Sequence, residues 1–124
     1  DMVSRGLGDV YKRQILMSIG IITSFTLIDF PSESEMTAFF VFMEQHVEEL
    51  ASDLRANGMT KFYTTRVFNK EGKFTVGNWL EYKDADSYAA CDKIWAKFMD
   101  EKGNQLEVVR KVVPHRCVVQ YDHT

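Results

Sequence analysis

The sequence predicts an α+β domain in which a four-stranded antiparallel sheet carries two helices on one face. Three observations carry that expectation. Segments patterned as strands and helices follow one another in the order β-α-β-β-α-β, the strand segments bear apolar or aromatic side chains on both faces, and 124 residues suffice for one two-layer domain but not two.

The first strand is read from Ile19 to Ile28, "IGIITSFTLI", with Ile19, Ile21, Thr23, Phe25 and Leu27 on one side and Ile22, Ser24, Thr26 and Ile28 on the other. "PSESE" follows, where Ser32 and Glu35 have the spacing of a capping box and the acidic residues favour the positive end of a helix dipole. Met36, Phe40, Met43, Val47, Leu50 and Leu54, widened by Phe39, then recur at three- and four-residue steps and define one apolar stripe. Asn57-Gly58 stops that helix in the left-handed manner. Strands over Lys61–Phe68 and Lys73–Tyr82, joined through Asn69-Lys70-Glu71-Gly72, make a hairpin. Asp84 or Asp86 caps a second helix carrying Tyr88, Cys91, Ile94, Trp95, Phe98 and Met99, interrupted at Gly103. "QLEVVRKVV" is read as a short additional helix, Pro114 as a break, and His115–Asp122 as the last strand. With right-handed crossovers this order gives the ferredoxin-like βαββαβ plait.

Residues 1–14 stand apart from this pattern. Asp9 to Gln14 can be written in codons as GAT GTG TAT AAG AGA CAG, which resembles the end of a transposon adapter used to prepare sequencing libraries, and Ser4 to Gly8 continue into it. The segment is therefore read as an adapter-derived head on an environmental gene fragment, with the single domain over residues 15–124 and a native start near Ile15, at Met17. Glycines and charges leave it no apolar core of a signal peptide.

Composition narrows the function classes. The chain has 15 Lys and Arg against 18 Asp and Glu, and without residues 1–14 these become 12 and 16, a net charge of −4. Such a balance lacks the positive field that nucleic acid demands. No stretch approaches the roughly 20 apolar residues of a membrane span. Cys91 and Cys117 form no C-x-x-C pair, so a reduced, cytoplasmic protein is expected, without metal or other cofactor. Sixteen aromatic residues must line a core, a pocket or a subunit interface. Since Phe74, Val76, Leu80 and Tyr82 occupy one side of the third strand and Trp79 the other, two helices cannot cover both, and a homodimer is expected.

Several residues are candidates for chemistry. His46, at the margin of the first helix stripe, could shuttle a proton or be merely packed. Asn78 interrupts an apolar strand face, so its amide either anchors a ligand or meets another polar group or water. Tyr63 and Tyr82 could offer phenol hydroxyls to a planar molecule or serve packing, and Phe39 and Met43 supply apolar walls. Cys91, near the start of the second helix, is a thiol the dipole could activate or a small buried hydrophobe.

The stretch "EYKDADSYAAC", Glu81 to Cys91, resembles the junction of third strand and second helix in the dimeric α+β barrel superfamily, especially antibiotic-biosynthesis-monooxygenase-like and NIPSNAP-like domains. Glu81, Tyr82, Asp84 and Tyr88 match its pattern, and Cys91 stands where a His is common. The resemblance implies two sheets packed face to face, with a pocket between sheet and helices in each subunit. It also implies a modest aromatic or apolar ligand, and cofactor-independent monooxygenase or isomerase chemistry in which His46 or a tyrosine moves a proton. The alternative is a non-catalytic ligand-binding or assembly module. Haem degradation is set aside, because the first strand has no Asn, Leu80 precedes Glu81, and Trp79, one residue earlier, points to the opposite face.

Overall fold

The computed structural model describes residues 20–124, so the adapter-like head, the start expected near Ile15 or Met17, and Ile19 lie outside it. Strand β1 runs Ile22–Phe30 and helix α1 Glu33–Ala56. Ser32, extended at φ −150°, caps α1: its hydroxyl accepts from the Glu35 N–H at 3.5 Å and donates to Glu35 Oε2 at 2.8 Å. Gly58, at φ +101°, turns the chain into β2, Met59–Arg66, and a Cβ there would collide with the Ser87 side chain. β3 spans Phe74–Tyr82 and α2 spans Ala85–Lys102. Of the two candidate caps, Asp84 is the one used, accepting the Ser87 N–H at 2.8 Å.

The four strands are antiparallel in the order β2-β3-β1-β4, where β4 is Lys111–Val118, giving the ferredoxin-like plait. Three expectations for this last stretch fail. In place of a short additional helix there is a 3-10 turn at Gly103–Gln105, and the chain has no regular structure from there to β4. Pro114 lies inside β4 rather than ending an element, and the strand stops at Val118 instead of Asp122. The register explains why a proline is tolerated. The Val119 N–H bonds to the Ile21 carbonyl, so alternate β1–β4 pairs from there on exchange hydrogen bonds, and Thr26–Pro114 falls between two such pairs. Pro114 nitrogen therefore faces the free edge, where a missing N–H costs the ladder nothing.

Both helices pack on one face of β1, β2 and β3. Two clusters fill that layer: Ile28, Phe30, Met36, Phe39 and Val76 at one end, and Ile22, Leu50, Leu54, Leu80 and Cys91 at the other. Phe42 is also buried, although the three- and four-residue stripe passes it by. The opposite face of the sheet is covered by no element among the described residues. It presents Phe25 and Trp79, with ring centroids 5.8 Å apart, His115 beside Phe25 at 6.2 Å, and Tyr63, 53% exposed.

Candidate functional site

A cavity of about 310 Å³ lies between the sheet and the helices. It exists because the helices pack over β1, β2 and β3 and leave β4 less covered, so the layer opens along that edge. Its floor is the inner face of the two central strands, where Thr26 pairs with Asn78 and Ser24 with Leu80. Phe39, Phe42 and Met43 of α1 and Trp95 and Phe98 of α2 form the walls. Exposed residues on α2 and β4, among them Asp92, Met99, Pro114 and Arg116, mark the rim.

Asn78 is the distinctive group. Its side chain is 92% buried, being 8% exposed, and Oδ1 has no hydrogen-bond partner among the described residues. A buried amide oxygen left unpaired costs about 1–3 kcal/mol, so such a group demands a reason. Tyr82, 2% exposed, also lines the cavity. Burial pushes its phenol well above the usual tyrosine range, and the Trp95 side chain opposes this in smaller measure. It is a neutral phenol at physiological pH, able to hydrogen-bond but not to act as a base.

The structure separates the remaining candidates from this cavity. His46 sits outside the lining, its Nε2 2.9 Å from Gln105 Oε1 and its ring 4.9 Å from Phe42, joining α1 to the 3-10 turn. Tyr63, in register with Trp79, belongs to the open sheet face and points away from the cavity. Cys91 is fully buried and donates to the carbonyls of Leu54 at 3.5 Å and Asn57 at 3.7 Å, holding the end of α1 against α2. Burial raises its thiol, which keeps it protonated. Phe39, Met43, Asn78 and Tyr82 thus meet at one site, whereas His46, Tyr63 and Cys91 do not. Among the described residues no group of three His, Cys, Asp or Glu is placed to hold a metal ion.

Sequence reasoning missed Ser24, Thr26, Arg110 and Arg116 as lining residues. The first two were legible as polar interruptions on one side of β1, matching the interruption at Asn78. Arg110 falls in the stretch expected to be helical, and Arg116, although within the expected last strand, has no register in the sequence to show which face it takes.

A family model described as a domain of unknown function (DUF6974) matches residues 19–119. The chain belongs to this DUF6974 family. A dimeric ferredoxin-like protein from an uncultured marine organism superposes on this DUF6974 domain with a TM-score of 0.72 at 30% identity, covering 83% of this chain and 98% of that one. A second dimeric ferredoxin-like protein, also from an uncultured marine organism, gives 0.74 at 26% identity over 84% and 98%. SnoaB, a cofactor-independent oxygenase from Streptomyces nogalater, gives 0.56 at 11% identity over 84% and 97%, a likeness of fold alone. Comparison with curated proteins gives no significant match. Among the described residues no helix is long and apolar enough to cross a membrane.

Proposed function

We propose that this DUF6974 protein is a homodimer that binds a small, partly aromatic molecule in the cavity between sheet and helices. The orphaned Asn78 Oδ1 in a chamber walled by aromatic side chains carries this reading: a ligand hydroxyl or N–H would supply the missing donor, while those walls take up its flat body. At about 310 Å³ the cavity lies at the small end of the ~300–1,000 Å³ common for such sites, which suits two or three fused rings. In this reading His46 and Tyr63 make no contact with the ligand. Thermal-shift screening of hydroquinones, naphthols and anthrones tests it. Stabilisation of the wild type that is lost in Asn78→Leu is expected, and equal shifts in both proteins would remove Asn78 as the anchor.

Pairing of two subunits over the open sheet face is supported by its uncovered Phe25, Trp79 and Tyr63 and by the dimeric relatives. Such pairing closes two sheets into an α+β barrel. Trp79→Glu should shift the sedimentation coefficient to that of a monomer, and a wild type that sediments as a monomer at micromolar concentration defeats the proposal. The free Cys91 and Cys117 fit a reducing compartment such as the cytoplasm.

A second reading, cofactor-independent oxygenase or isomerase chemistry, has one observation in its favour. An amide acceptor in a chamber walled by aromatic side chains can orient a phenol or enol whose own carbanion performs the hard step. Oxygen uptake or product formation with the compounds that stabilise the protein separates the two readings, since stabilisation without turnover selects the binding function. The Tyr82 phenol is neutral, His46 lies outside the lining, and Asp92, the one carboxylate among the lining residues, is exposed at the rim, which is why binding is put first.

A further inference from the structure

Three ionisable side chains other than tyrosine line the cavity: Asp92 on α2, Arg110 in the irregular segment before β4, and Arg116 on β4. Two guanidiniums therefore face one carboxylate in a chain whose net charge is −3. The basic character of this site is local and runs against the charge of the whole molecule. None of the three has an ion-pair partner among the described residues; the ion pair that is formed, Lys97 with Glu101, belongs to two well-exposed side chains of α2. Arg110 is held in place, with Nη1 donating to the carbonyls of Leu106 at 3.4 Å and Val108 at 3.1 Å, so its guanidinium is positioned by backbone and its other N–H groups are not committed there. Arg116 is set by register. It pairs with Ser24, one of the polar floor residues, and so belongs to the inner face of the sheet.

The spacing of the polar groups across the sheet is fixed by strand order. Asn78 lies on β3 and Arg116 on β4, with β1 between them. Two strand spacings of about 4.8 Å put roughly 10 Å between their backbones. A pair of fused six-membered rings with one substituent at each end spans that distance. On the reading that the cavity binds a small aromatic molecule, we propose that its ligand is an aryl carboxylate, with the ring system lying along the sheet floor, a hydroxyl or N–H donor at Asn78, and the carboxylate at Arg110 and Arg116. The planar guanidinium is the side chain whose donors match a carboxylate in two-point geometry, and the half-buried position of Arg110 strengthens that pairing over one in open water, with Arg116 adding its charge from the exposed rim.

The test uses the full chain at fixed concentration with two probes that share a skeleton, 6-hydroxy-2-naphthoate and the neutral 6-hydroxy-2-naphthamide, titrated calorimetrically. Wild type is expected to bind the carboxylate at least tenfold more tightly, with the preference shrinking as salt rises. Arg116→Gln, at an exposed position, should bring the two affinities close together by weakening the carboxylate far more than the amide. Arg110→Gln should act in the same direction, and Asp92→Asn should favour the carboxylate further. A thermal melt of each variant establishes that it is folded. Equal affinities in wild type, or a preference that survives in both arginine variants, overturn the proposal and leave the cavity reading standing. Failure of both probes to bind overturns the cavity reading and the proposal together.

Discussion

Replacing Asn78 by Leu should make the ligand-free protein more stable and its binding worse. Asn78 Oδ1 is buried without a partner, and an unpaired amide group costs about 1–3 kcal/mol relative to the same group in water. Leucine has nearly the same shape, removes that penalty and adds apolar contact with the Val76–Leu80 face on which Asn78 sits. A gain of about 1–3 kcal/mol corresponds to a rise in Tm of roughly 4–12 °C for a domain of this size. The assay is urea and thermal unfolding of both proteins at equal concentration, because the apparent stability of the proposed dimer would depend on concentration. Ligand at a hundred times its Kd should then raise the wild type by about 2.7 kcal/mol and the variant by much less, so that the order of stability narrows or reverses. A ligand-free Asn78→Leu less stable than wild type by more than about 1 kcal/mol would refute the reasoning, since it would mean that the amide is satisfied and holds the sheet together. The predicted trade is the usual one at a binding site, where stability is given up for a group that only a ligand completes.

Gly58→Ala should lower the urea midpoint by more than about 1 kcal/mol equivalent, because φ is +101° and the added methyl meets Ser87; a neutral result would show that the α1–β2 turn can rebuild. The Asp84 carboxyl is held below its ordinary range, chiefly by hydrogen bonds from Ser87, so it contributes stability that is present above the unfolded carboxyl's pKa and is lost as pH falls through the lower folded value. Asp84→Asn should therefore flatten the fall of stability below about pH 5 in urea melts, and an unchanged acid limb counts against it. Cys91, fully buried and with its thiol raised by burial, should react with a disulfide reagent only as fast as the protein unfolds, which mass spectrometry of labelled peptides can read.

Most of the fold was legible because its signals are local. The Ser32 cap, the Asn57-Gly58 stop and the Asn69–Gly72 turn each follow from the conformations those residues prefer, and the structure has all three boundaries within a few residues. The last strand is not legible locally, because a proline reads as a break, whereas its cost depends on which side of the ladder its nitrogen faces, a property of pairing with β1 that no local window contains. The site divides along the same line. Asn78 stood out because one polar residue in an alternating strand is visible from sequence, and Phe39 and Met43 followed from helical spacing. His46 and Tyr63 were drawn in by residue type alone. Where they point depends on helix rotation and on strand register: Tyr63 stands beside Trp79, on the face away from the cavity.

Pro114 also bears on how copies of the chain can meet. With an imide nitrogen on the outer side of β4, and Lys111 and Arg116 along the same strand, the rim of the sheet is a poor template for a further strand from a neighbouring molecule. Such an edge disfavours side-by-side extension, which has no natural end, and so favours the proposed stacking of sheets, which would terminate at two. An all-strand chain of this richness in aromatic residues would court fibres; one imino acid at an outer position helps keep this one finite.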